Sequence, residues 1–123
     1  MSETAHVKSL MAYGNSLGCL LLRNNSGGFQ DKTGRWVFYG LGNEGRGKSI
    51  GSSDLIGPMP VLIRPEHVGL TLGVMVCAEV KIPADPRSKP TVDQLNFIAA
   101  MNAAGCRAGI VRTPSDLDEL LKI

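Results

Sequence analysis

The longest apolar run in the chain, Leu70 to Ile82, is rich in valine and is interrupted by Gly73. A strand that is apolar at odd and even positions alike has no polar face to turn to solvent, so it belongs in the middle of a sheet covered on both sides. Behind it comes Pro83 to Pro90, which holds three prolines and reads as an exposed loop. Thr91 then stands where a helix cap belongs, and Leu95, Phe97, Ile98 and Met101 supply most of an apolar stripe over Val92 to Ala104, with Gly105 as the stop. Arg107 to Val111 is extended and apolar again. Strand, crossover helix and strand in this order predict two parallel, adjacent strands joined by a right-handed connection.

The first half of the chain is less regular. Ser2 is a plausible N-cap, and Ala5, Val7, Leu10 and Met11 fall near helical spacing, so residues 3 to about 16 read as a helix closed around Gly14 or Gly18. Cys19 to Arg23 reads as a short strand followed by the turn cluster Asn24 to Gly28. Trp36 to Tyr39 reads as another strand, entered through the tight loop Asp31 to Gly34, which predicts a hairpin. Residues 53–56 and 60–64 are each compatible with extended chain, and Ser115 opens a short C-terminal helix. Helices bracketing a mixed central β-sheet make the expected class α/β. With 123 residues the chain has room for one core, so a single domain over 1–123 is expected.

Composition excludes more than it selects. A hydrophobic content of 43% with 20% charged residues is that of an ordinary soluble domain. No stretch approaches the roughly 20 apolar residues of a membrane span, and the N-terminus lacks the basic and apolar regions of a signal peptide, so a cytoplasmic protein with no membrane partner is expected. Cys19, Cys77 and Cys106 are too widely spaced for a disulfide framework or a zinc knuckle. The net charge of +2 identifies no partner, but between Arg23 and Lys48 five cations face two carboxylates in a segment rich in Gly and Asn. Arg23, Arg35, Arg46 and Lys48 are therefore candidate contacts to a phosphate backbone, and each could equally be a solvated surface charge.

Two phosphate-binding patterns occur without their context. Gly42 to Ser49 satisfies the phosphate-loop expression and Gly40 to Gly45 the dinucleotide one. Both need a helix immediately afterwards, whose N-terminal amides hold the phosphates. The chain continues instead with Gly51, Ser52, Ser53 and Asp54, then Gly57-Pro58 and Pro60, which cannot form that helix. His6 and His67 have no ligand spacing around them, and Ser52 and Ser53 lack a base partner.

The chemistry concentrates at the end of the long apolar run. Side chains alternate along a strand, so Glu79 and Lys81 share one face while Ala78 and Val80 share the other. Asp54, between Ser53 and the apolar pair Leu55-Ile56, could add a second hard oxygen ligand of the kind Mg²⁺ takes. An isolated charge in an apolar setting is costly unless it is paired or coordinates an ion.

With Gly51-Ser52-Ser53-Asp54-Leu55-Ile56-Gly57, the approach Gly69 to Gly73 into Ala78-Glu79-Val80-Lys81, Arg23-Asn24-Asn25 after the first strand and Thr91-Val92-Asp93-Gln94 opening the later helix, the chain resembles the VRR-NUC domain of the PD-(D/E)XK nuclease superfamily. The resemblance runs from the first helix to Val111 and departs from the superfamily pattern at Ser53, where proline is usual. It implies a restriction-endonuclease-like core in which Asp54, Glu79 and the carbonyl of Val80 bind Mg²⁺ or Mn²⁺ and Lys81 orients or polarises the attacking water. It also implies that Glu3 holds a metal-bound water and that Gln94 supports the site from behind. The activity so implied is metal-dependent, structure-selective cleavage of branched DNA such as Holliday junctions, by a homodimer. The competing expectation is a non-catalytic DNA-binding module in which the Asp, Glu and Lys form a structural cluster.

Overall fold

The computed structural model describes residues 2–25, 27–42 and 53–123. The chain divides into two compact units, 1–57 and 58–123. The described residues form three α-helices and three two-stranded sheets, an α/β protein. Among the described residues the strands form these small sheets and no larger mixed one. No described helix is long and apolar enough to cross a membrane.

In the first unit, α1 spans Glu3–Ser16; the Ser2 hydroxyl accepts from the Ala5 amide, and Glu3 sits in the first turn, where a carboxylate complements the helix dipole. Asn15 ties the helix end to the next segment, its Oδ1 accepting from the Leu21 amide at 2.8 Å. The strand expected over 19–23 is shortened to β1, Leu22–Arg23. Gly27 and Gly28, read from sequence as part of a turn, instead open strand β2, Gly27–Gln30, which pairs antiparallel with β3, Trp36–Tyr39, in the hairpin the Asp31 to Gly34 loop predicts. The hairpin loop is organised by Asp31, whose Oδ1 accepts from the Thr33 amide and hydroxyl and the Arg35 amide, with Gly34 at φ 89°. The Thr33 hydroxyl leads the hydrogen bonds that hold the Asp31 carboxyl below its ordinary range.

β4, Leu55–Ile56, pairs antiparallel with β1, and one step beyond that register the Asn24 amide donates to the Asp54 carbonyl at 2.9 Å. Asn24 is buried and holds two further segments: its Nδ2 donates to the Ser53 carbonyl at 2.8 Å, and its Oδ1 accepts from the Leu41 amide at 3.2 Å. Truncating this side chain strands a backbone donor and an acceptor. Asn24→Ala is expected to cost about 1–3 kcal/mol, read by urea unfolding followed through Trp36, the single tryptophan, which lies in the same unit.

The second unit begins with extended chain; residues 60–64 form no strand. A single 3₁₀ turn over Pro65–His67 is closed by His67, whose Nδ1 accepts from the Arg64 amide. β5, Val76–Val80, and β6, Arg107–Val111, are parallel neighbours with Glu79 opposite Ile110, as the sequence order predicts. α2, Val92–Ala103, lies between them in sequence, and α3, Pro114–Leu120, follows β6, capped by Thr113 and so starting one residue before the expected Ser115. Gly105, at φ 92°, takes the chain out of α2. Asn102 then clamps β6, exchanging hydrogen bonds with the Ala108 amide and carbonyl. Met101, Cys106, Ala108 and Val111 form the buried centre.

The long apolar run departs from expectation. Only residues 76–80 are strand, and burial alternates along them: Cys77 and Glu79 are half-buried, whereas Val76 and Val80 are 42% and 71% exposed. The reason is the number of layers. Helix α3 lies over β6, so close that a Cβ on Gly109 would stand 3.2 Å from Leu120 Cδ1, and a two-stranded sheet gives β5 no equivalent cover on that face. The stripe on α2 is also rotated from the predicted one. Gln94, Ile98 and Met101, spaced i, i+4 and i+7, are its less exposed residues, while Leu95 and Phe97 are exposed.

Candidate active site

Glu79 and Lys81 emerge on one face of β5, as period-two alternation requires, and Lys81 Nζ lies 3.2 Å from Glu79 Oε1. The Lys81 side chain is 13% exposed and that of Glu79 34%, so the ammonium is the more deeply placed partner. Lys81 also continues the ladder beyond β5, its amide donating to the Val111 carbonyl at 3.0 Å. The strand thus fixes the base of a largely desolvated amine next to a carboxylate.

Gln94 completes the group. Its Nε2 donates to Glu79 Oε1 at 2.7 Å, while its Oε1 accepts from the Thr91 amide at 2.9 Å. The Thr91 hydroxyl in turn accepts from the Gln94 amide. This is a capping box, T-x-x-Q, in which the reciprocal bonds that start α2 leave the amide NH₂ aimed at β5. Glu79 Oε1 consequently faces both the Lys81 ammonium and the Gln94 amide, and Oε2 accepts no hydrogen bond among the described residues. A carboxylate oxygen is the kind of hard ligand that Mg²⁺ and Mn²⁺ take.

Beside this group is a cavity of about 270 Å³ lined by Cys77, Glu79, Asp93, Gln94, Phe97 and Ile98 among others. Burial, and then the neighbouring Cys106, push the Cys77 thiol up from its ordinary value; the neutral thiol is a poor nucleophile. Catalytic chemistry here would fall to the charged pair.

The remaining candidates lie in the first unit. Asp54 is exposed just before β4, and its carboxylate has no hydrogen bond or ion pair among the described residues. Glu3 is exposed on α1. The Arg23 guanidinium donates to Asn25 Oδ1, and Arg35 is 3.3 Å from Asp31, so neither cation is wholly unengaged. Arg46, Lys48 and the two glycine-rich patterns fall outside the described residues, apart from Gly40 to Gly42. Val80, expected to lend its carbonyl, closes β5. Among the described residues no three His, Cys, Asp or Glu side chains gather as a metal cluster; Glu79 stands with its lysine and glutamine, and Asp93 lines the same cavity.

No known family, curated protein or solved structure matches the chain. The geometry of Glu79, Lys81 and Gln94 therefore has to carry the functional argument with the residue pattern. Sequence reasoning named all three. It missed Asn24 as the anchor of the Ser53-Asp54 segment, although a buried Asn at a strand end, with groups that can satisfy three backbone partners, is the available signal.

Proposed function

We propose that the protein is a metal-dependent DNA endonuclease of the restriction-endonuclease-like type, acting on branched DNA such as four-way junctions as a homodimer. The observation that carries the reading is the Glu79, Lys81 and Gln94 constellation: a half-buried carboxylate, a largely buried amine beside it and an amide that fixes the carboxylate's orientation.

In this reading Glu79 and the Val80 carbonyl would hold Mg²⁺ or Mn²⁺; Asp54 and Glu3, in the first unit, are the further acidic candidates that the residue pattern names. The ion, when bound, supplies an acidified water and neutralises charge on the phosphate. Lys81 orients the attacking water and stabilises the negative charge that accumulates on the phosphoryl oxygens. Gln94 keeps Glu79 in one rotamer, so no reorganisation is needed as the reaction proceeds. Arg23, Arg35, Arg46 and Lys48 would contact phosphates, and two copies of one site would serve the two strands of a symmetric junction.

The second reading, a DNA-binding module without catalysis, draws on the same ion pair, because Glu79 already neutralises Lys81. Metal binding separates the two. A ligand bound to the native state alone raises stability by about 2.7 kcal/mol at 100 times its Kd. Mg²⁺ is expected to raise the melting temperature of the wild type by several degrees, to leave Glu79→Gln unmoved, and to support cutting of a four-way junction over a linear duplex. A melting temperature indifferent to Mg²⁺ and Mn²⁺, with an intact junction, refutes the nuclease reading.

A further inference from the structure

We propose that the carboxyl end of the β5 and β6 pair carries a second phosphate site, formed by Lys89 and Arg112, which grips the phosphodiester backbone of DNA. The inference rests on the DNA substrate proposed above and adds a contact surface on the second unit, whereas Arg23, Arg35, Arg46 and Lys48 all belong to the first.

An open cleft of about 370 Å³ lies here, with Ile82, Asp85, Ser88, Lys89 and Arg112 in its walls. The loop that forms it is internally braced. The Ile82 amide donates to Ser88 Oγ at 2.8 Å, the Ser88 amide donates to the Asp85 carbonyl at 3.0 Å, and Ala84 takes a left-handed conformation at φ 59°.

Charge is unequally matched in the cleft. Asp85 is engaged by Arg87, whose amide and Nε reach its Oδ1 at 2.9 and 3.2 Å, and these bonds hold the carboxyl below its ordinary range. Asp116 Oδ2 is occupied by the Arg112 and Thr113 amides in the cap of α3. Lys89 and Arg112 have no ion pair among the described residues, which leaves two cations facing the opening. A guanidinium forks onto phosphate oxygens and an ammonium adds a point charge, a pairing suited to a diester anion.

The position fits the proposed chemistry. Arg112 stands one residue past the Val80 and Val111 register pair, opposite Lys81 if the ladder is extended by one step. Outside the carboxyl ends of parallel strands is also where α/β sheets commonly bind ligands. A backbone held by Lys89 and Arg112 would run past the strand end that carries Lys81.

The test uses the full chain in EDTA, so that no cutting occurs, and titrates a fluorescent four-way junction between 50 and 200 mM salt. Neutralising one phosphate contact removes roughly one unit from the slope of log affinity against log salt. Lys89→Ala/Arg112→Ala is expected to lose about two units and at least tenfold in affinity at the lower salt, with its circular dichroism and melting temperature retained. Lys122→Ala, which removes a cation already paired with Glu119, is expected to bind like the wild type. Wild-type slope and affinity in the double variant, or no DNA binding by the wild type, overturn the proposal. Inorganic phosphate, followed by amide shifts at Ser88, Lys89 and Arg112, separates a free anion from a backbone: saturation by phosphate with unchanged junction affinity in the double variant also overturns it. Glu79→Gln reports separately on the nuclease reading, because it alters cutting in Mg²⁺ and leaves the EDTA salt slope unchanged.

Discussion

Glu79→Gln and Lys81→Met are each expected to lower junction cleavage in Mg²⁺ by about 10³-fold while junction affinity in EDTA stays within a factor of two or three. The choice of replacement matters. Lys81 is mostly buried with Glu79, itself 34% exposed, as its ion-pair partner, and truncating either side chain opens a void beside an unpaired group. Alanine at either position would thus mix unfolding with lost chemistry. Gln at 79 also removes the charge but keeps the shape and an amide oxygen that can accept from the Lys81 ammonium, and Met at 81 fills the lysine's volume beside a carboxylate that is 34% exposed and can be hydrated. Single-turnover cleavage of a labelled junction measures the effect, with thermal unfolding as the check on folding. Cutting at the wild-type rate by both variants would exclude this pair from the reaction and leave the ion pair a structural role.

Gly57→Ala is expected to be the most destabilising single change in the first unit. A Cβ at this position would lie 1.8 Å from the Leu20 carbonyl oxygen and 3.2 Å from the Leu21 Cα, and both obstacles are backbone atoms that no rotamer change can move. The glycine also has φ 156°, at the edge of the region that side chains avoid. The strand pair must separate or the chain must bend, at a cost of about 3 kcal/mol or more, which corresponds to a fall in melting temperature on the order of 10 °C. Trp36 fluorescence follows the unit directly. Gly73→Ala is the control: nothing lies within 4 Å of its Cβ position, so it is expected to stay within about 0.5 kcal/mol of wild type. Equal stability of the two variants would show that Leu20 and Gly57 do not approach as described.

What could be read from sequence was mostly local chemistry. Thr91 as the cap, and Gly105 after the last apolar turn, bounded α2 to within a residue. The order of strand, helix and strand yielded the parallel pair, and the spacing of Glu79 and Lys81 yielded their common face. The failures share a cause, because each depended on what lies across from a segment. Residues 70–74 are as apolar as a central strand but pair with no strand among the described residues, so they are not strand. Gly27 and Gly28 looked like turn residues but sit opposite Tyr39 and Phe38, whose rings cover the space their missing side chains leave. Arg112 and Lys89, 23 positions apart, meet only because a parallel pair brings a loop and a strand end together.

Gln94 belongs at once to the first turn of a helix and to the carboxylate it orients. Fraying of that turn, the part of any helix most ready to open, frees the amide and lets Glu79 rotate, so the readiness of the site is set by a local opening equilibrium and not by global unfolding. Deuterium uptake at the Gln94 and Leu95 amides, which bond to Thr91, should therefore track how often the carboxylate is held in place.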